Sequence, residues 1–231
     1  MNMRQDDRMP GTDLEGVVEF ADNPEPRCAC VLLLDTSASM NGPPIQMLNA
    51  GIRAFKEELE SDSLASLRVE TAIVSFNSSV RLVQDFATVD ALTTPELTAS
   101  GATSTATAVN SAIDRVEERK QSYRDAGISY YRPWIVLITD GASTEGRQQM
   151  DAASERIRQA EEAKQLAFFA VGVEGADMDE LNRLGSRGAM PLNGLAFREF
   201  FVWLSSSMTR VSSSRVDDEI NLPDYSGWAK L

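Results

Sequence analysis

The stretch Val31-Leu-Leu-Leu-Asp-Thr-Ser-Ala-Ser-Met40 constrains this chain more than any other. A short, unbroken apolar run reads as a strand buried on both faces, the pattern of parallel sheets covered by helices. A carboxylate at the C-terminal tip of such a strand sits where open α/β sheets place their ligands. Asp35, Ser37 and Ser39 follow at steps of two in a loop leaving the strand, which can gather three oxygens around one point. That arrangement suits a divalent cation, held for binding rather than for catalysis.

Trp134-Ile-Val-Leu-Ile-Thr-Asp-Gly141 repeats the theme, ending on Asp140. Right-handed crossovers put both carboxylate-tipped strands on one edge of a sheet. Neighbouring strands would hold the two tips roughly 4.8 Å apart. Bare carboxylates that close repel, and one has its pKa raised; a cation between them removes the conflict. A further neutral oxygen is available in the loop Ser100-Gly-Ala-Thr-Ser-Thr105, with Thr103 best placed. Two charges and several hydroxyls leave a cation that takes about six ligands open to an outside carboxylate. Ser and Thr ahead of helices are usually N-caps, and Asp before a turn is usually turn chemistry. Either acidic strand end alone would carry little; together they point to metal.

Composition sharpens this reading by elimination. The 231 residues contain no histidine and two cysteines. Ser-His-Asp and Cys-His catalysis, His proton shuttles and His-containing zinc or iron sites are therefore excluded. A metal held by this chain alone is therefore mostly oxygen-ligated, which points to a hard cation such as Mg²⁺, Mn²⁺ or Ca²⁺. Cys28 and Cys30 point the same way along an extended segment, a poor geometry for a disulfide. Small residues entering a buried strand is the reading taken for them. A net charge of −13 argues against nucleic acid and anionic membrane surfaces as partners. Residues 1–25 carry no signal-peptide core, no apolar run approaches the length of a membrane span, and no disulfide framework exists; a cytoplasmic address is expected.

Along the chain, residues 1–26 read as a flexible or loosely docked arm, with Val17, Val18 and Phe20 offering a short edge strand. A domain over 27–213 and a tail over 214–231 follow. After the first strand, Gly42-Pro-Pro44 turns into an amphipathic helix with Ile45, Leu48, Ile52, Phe55 and Leu59 on one face. Leu67–Phe76 and Val80–Phe86 form a hairpin across Asn77-Ser-Ser79. A second helix carries Ala106, Val109, Ile113 and Val116, with Glu117–Arg124 running into solvent. Then come the Trp134 strand, a helix over Arg147–Lys164, a strand over Leu166–Val173, and a short helix over Met178–Leu184. A short strand near Ala189–Leu192 and a last helix from Ala196 bearing Phe197, Phe200, Phe201, Leu204, Met208 and Val211 complete the domain. Pro223, Tyr225 and Trp228 in the tail either dock on the domain, form a second contact, or belong to a disordered tail. Alternating strands and helices predict a doubly wound, Rossmann-like α/β fold: a mostly parallel sheet with one antiparallel edge strand.

Asp35-Thr-Ser-Ala-Ser39, Thr103 and Thr139-Asp-Gly141 resemble the metal-ion-dependent adhesion site of von Willebrand factor A (vWA) domains, in motif order and spacing over about residues 27–213. Asn23-Pro-Glu-Pro-Arg-Cys28, Tyr130-Tyr-Arg-Pro-Trp134, Phe168–Gly175, Leu195–Phe201 and Gly227-Trp-Ala229 resemble the bacterial TerY-type proteins of tellurite-resistance and stress systems. The resemblance implies a cation on Ser37, Ser39 and Thr103, with Asp35 and Asp140 binding directly or through water. A partner's acidic side chain would complete the shell. It further implies a metal-dependent protein phosphatase and a serine/threonine kinase as partners. Ala38 and Ala102 stand where that family commonly has Gly, and a left-handed backbone at either would be strained. The alternative function is a Mg²⁺-dependent, phosphatase-like hydrolase with Asp35 as nucleophile. That class normally places a second Asp two residues on, where this chain has Ser37.

Overall fold

Cys28–Asp35 forms β1 with all eight residues buried, as an unbroken apolar run requires. The computed structural model describes residues 20, 22–216, 218, 220–224 and 226–229. Around β1 lie β2 (Val69–Phe76), β3 (Val80–Thr88), β4 (Trp134–Thr139), β5 (Ala167–Gly172) and β6 (Ala189–Pro191). They form a six-stranded sheet in the order β3-β2-β1-β4-β5-β6. Among the six described strands only the β2–β3 pairing is antiparallel; the other strand pairings are parallel. The predicted fold class is therefore the observed one.

Alternate residues of each strand face opposite layers, because successive side chains in a strand point to opposite faces. Leu32, Leu34, Ile73, Val136, Ile138 and Val171 pack beneath α1 (Pro43–Glu60) and α6 (Phe197–Ser213). Val31, Leu33, Val74, Ile135, Leu137 and Ala170 pack beneath α3 (Thr105–Asp125), α4 (Arg147–Glu162) and α5 (Met178–Leu184). α1 and α6 meet closely at Gly51, where an added Cβ would lie 2.8 Å from Phe201 Cε2. Cys28 and Cys30 are buried free thiols in the first layer. Burial pushes the Cys28 thiol up to about 12, so it is an inert apolar filler.

Three local expectations are corrected. Leu67 belongs not to β2 but to a helical turn, α2 (Ala65–Arg68), and is exposed. The Asp62 carboxylate accepts from the N–H groups of Leu64 and Ala65 (3.0 and 2.8 Å) and caps that turn. The end of α3 does not run into solvent: Lys120 and Tyr123 are buried. Tyr123 packs between Phe20 and Tyr130 (ring centroids 5.7 and 5.4 Å) and donates its hydroxyl to Glu70. Nor are Ala38 and Ala102 strained. Among the described non-glycine residues only Lys164 has positive φ (55°), while Gly101 carries the left-handed turn beside Ala102.

Residues 17 and 18 of the expected N-terminal edge strand lie outside the described residues; Phe20 is buried, with its ring beside Arg119 and Tyr123. The tail packs on the domain. Trp228 is buried against Phe200 and Trp203 (4.9 and 5.2 Å between centroids), and its carbonyl accepts from Asn193 N–H at 2.7 Å. Trp203 Nε1 donates to the Pro223 carbonyl at 2.9 Å, and Ala229 bridges Leu192 beside β6. The tail thus extends the aromatic layer of α6. Tyr225 lies outside the described residues. Trp228→Ala is expected to destabilise the protein by about 3 kcal/mol, the low end for a buried tryptophan. Urea unfolding checks this, and an unchanged midpoint would mean the tail contributes no stability.

Candidate functional site

β1 and β4 are adjacent and parallel, with Leu34 opposite Ile138. Asp35 ends β1, and Asp140 stands one residue beyond β4, so both carboxylates emerge at the C-terminal edge of the sheet. Asp35 is fully buried and Asp140 is 7% exposed. A chain of hydroxyls links them. Ser39 Oγ donates to Asp140 Oδ1 at 2.7 Å and lies 3.0 Å from Ser37 Oγ. Ser37 N–H donates to Asp35 Oδ1 at 2.7 Å.

Thr103 reaches the same place from a different element. A Cβ built on Gly141 would lie 3.4 Å from Thr103 Oγ1 and 3.7 Å from Ser39 Oγ. The missing side chain of Gly141 therefore leaves a space onto which both hydroxyls face. Thr103 is not a helix cap here: the N-cap of α3 is Ser104, and no described hydrogen bond engages Thr103 Oγ1. The first turn of α3 is capped instead by a carboxylate from the loop after β4. Glu145 accepts from Ala106 N–H at 2.6 Å and from Thr107 N–H at 3.2 Å. This satisfies orphan N–H groups and complements the positive end of the helix.

The loops around the space are tied by backbone bonds rather than by side-chain chemistry legible in the sequence. Ala38 N–H donates to Gly101 O at 3.0 Å, Ser100 N–H to Thr36 O at 2.8 Å, and Thr144 N–H to Thr103 O at 2.9 Å. Ser78, from the β2–β3 turn, accepts from Ala102 N–H at 2.9 Å. Sequence reasoning placed Thr139 in a motif without giving it a role. Its Oγ1 donates to Asp35 Oδ2 at 2.5 Å, orienting the carboxylate from the neighbouring strand. A Thr immediately before the second acidic residue was the available signal. Glu145 and Glu180, which accepts from Ser143 N–H at 2.8 Å, gave no such signal.

Burial raises the pKa of Asp35, opposed by the hydrogen bonds from Thr139 and Ser37 and reinforced by the charge of Asp140. Burial likewise raises that of Asp140, opposed by Ser39. Both carboxylates are thus disfavoured as bare anions, the condition a nearby cation relieves. Among the described residues no three His, Cys, Asp or Glu side chains cluster as a metal site. The donor set here is two carboxylates plus hydroxyls, which fits a hard cation and leaves room for an external ligand.

No curated protein matches the chain. Its fold is similar to several solved structures. A von Willebrand factor type A protein from Catenulispora acidiphila superposes with a TM-score of 0.60 at 16% identity, covering 80% of this chain and 43% of that one. The pilus adhesin SpaC from Lactobacillus rhamnosus GG gives 0.65 at 12% identity, covering 81% and 32%. Proximal thread matrix protein 1 from the mussel byssus, in a structure described as having a zinc-occupied MIDAS motif, gives 0.54 at 16% identity, covering 81% and 49%. The chain thus spans less than half the length of each of these three. The family model for the von Willebrand factor type A domain matches residues 30–201, which hold most of β1, both acidic strand tips, Thr103 and most of the helical layers, and the chain belongs to that family.

Proposed function

We propose that this protein is a metal-ion-dependent protein-binding module whose cation captures an acidic side chain of a partner. The observation that carries the reading is the continuous link Asp35–Ser37–Ser39–Asp140, with Thr103 facing the same space beside Gly141. Ser37, Ser39 and Thr103 would hold the ion, with Asp35 and Asp140 binding directly or through water. The ion supplies a site of positive charge for an incoming carboxylate. The chain's own contribution is to orient the donors: Thr139 fixes Asp35, and the Glu145 cap anchors the helix after Thr103. Mg²⁺ is the ion proposed, on the hardness of the oxygen set. The zinc-occupied MIDAS motif of the byssus protein supports divalent occupancy of this type of site.

The likeness of the flanking segments to TerY-type proteins supports a place in a bacterial stress system in the cytoplasm. A metal-dependent protein phosphatase and a serine/threonine kinase are the partners proposed. Among the described residues no helix is long and apolar enough to cross a membrane. The hydrolase alternative is disfavoured by the surroundings of Asp35. Both of its carboxylate oxygens are engaged, by Ser37 N–H and Thr139 Oγ1, and the acid/base position of that class is Ser37.

The test is capture of the purified phosphatase or kinase by immobilised protein, in Mg²⁺ and in EDTA, for the wild type and Ser37→Ala. Capture is expected only with Mg²⁺ and wild-type protein. Equal capture in chelator would overturn the metal bridge. Phosphatase turnover lost in Asp35→Asn would replace the binding reading with the hydrolytic one.

A further inference from the structure

At the edge of the sheet opposite the acidic strand tips, a cleft of about 1150 Å³ opens between the starts of β4 and β5 and the tail. Its apolar side is built from Tyr131, Trp134 and Phe169, all nearly buried. Among the described residues its charge is the reverse of the protein's: five cations line it, Lys120, Arg124, Arg132, Lys164 and Arg187, against the carboxylates Glu117 and Asp218, in a chain of net charge −13.

The pairing of these cations shows which are available. Lys120 is held by Glu117 at 2.7 Å, and Arg187 pairs with Glu161 while lying over the Phe169 ring. Among the described residues Arg124 bonds neutral groups, Gln121 Oε1 (2.8 Å) and Tyr130 Oη (3.1 Å). Arg132 and Lys164 are exposed and have no ion pair or side-chain hydrogen bond among the described residues. Lys164 adds an independent observation. It occupies the left-handed position that ends α4, where Lys164 N–H donates to Glu161 O (3.0 Å) and Gln165 N–H to Ala160 O (2.8 Å). That hydrogen-bond pattern is the helix stop in which glycine is the favoured residue, because a side chain is strained there. A lysine thus stands at a strained position on the lining of the cleft.

We infer that this cleft docks an acidic, extended peptide segment of a protein partner, with Arg124, Arg132 and Lys164 binding its carboxylates. The volume lies above the usual range for small-ligand pockets, roughly 300–1000 Å³, and guanidinium groups match carboxylates in planar, two-point contact. The site shares no residue with the one at the acidic strand tips and needs no cation. The protein would then hold acidic segments at both edges of its sheet.

Fluorescence anisotropy with the full chain and a fluorescein-labelled ten-residue peptide of alternating Asp and Glu tests this. All measurements are made in EDTA on an Asp35→Ala background, so the cation-dependent site plays no part. Saturable binding that weakens about 10-fold or more in Arg132→Glu/Lys164→Glu is expected, with binding also falling as salt is raised. The single variant Lys164→Gly should bind more weakly yet melt at a higher temperature, because it relieves the left-handed strain while removing a charge. Absence of saturable binding would overturn the proposal, as would unchanged affinity in the double variant. Equal affinity for a ten-residue oligothymidine would overturn the assignment to peptide.

Discussion

Asp35→Asn is expected to abolish cation binding and, in the absence of cation, to raise the melting temperature. The two effects have opposite signs for one reason. Asp35 is fully buried, and burial together with the charge of Asp140 disfavours its ionised form. The amide removes that charge and keeps the local bonds: Oδ1 still accepts from Ser37 N–H, and Nδ2 can donate to Thr139 Oγ1. Thr139 Oγ1 lies 3.3 Å from Gly141 O, a second acceptor to which its hydroxyl can turn. With cation, the ordering reverses, since a ligand that binds only the folded state stabilises it by mass action. The loss of affinity should exceed the roughly 10–100-fold that follows removal of an outer-shell partner. Thr139→Val, which removes such a partner, should fall within that range. Calorimetric titration with Mg²⁺, and thermal melts with and without it, read both effects. A variant that melts lower than wild type in EDTA would mean the Asp35 carboxylate is a structural group, stabilising the fold without cation.

The second large effect lies at the far end of the sheet. Glu70→Ala is expected to destabilise the protein by about 4 kcal/mol, as breaking a buried charge network does. Glu70 is 2% exposed within β2. It accepts from Arg27 Nε at 2.8 Å, Arg119 Nε at 2.8 Å and Tyr123 Oη at 2.5 Å. Removing the carboxylate leaves the Arg27 guanidinium buried, with the carbonyls of Asn23 and Glu25 (both at 2.5 Å) as its remaining hydrogen-bond acceptors among the described residues. Glu70→Gln should cost less, because the amide oxygen still accepts while the charge is lost. Urea unfolding separates the two. Equal, small losses would show that water replaces the carboxylate at little cost, and that the network adds nothing to stability.

The layered α/β architecture was legible in the residue pattern, because an unbroken apolar run such as Val31–Leu34 is stable only when covered on both faces. Composition set the donor chemistry: with no histidine, oxygen remained for any metal site held by this chain. Helices and strands were legible wherever their periodicity was strong. They failed at Leu67, where a side-chain cap from Asp62 overrides strand propensity, and at Tyr123, whose burial depends on Phe20 and Glu70 from distant parts of the chain.

The remaining features depend on how distant segments pack together. That Asp35 and Asp140 stand at the tips of adjacent strands follows from the strand order, which sequence pattern leaves open. That Ala38 and Ala102 are unstrained follows from Gly101 taking the left-handed turn and from backbone bonds between loops. The Glu145 cap on α3, the Glu70 network and the basic cleft each join residues more than 20 positions apart. Such pairings are set by how layers stack, and local sequence carries almost no trace of them because each partner taken alone is an ordinary surface charge.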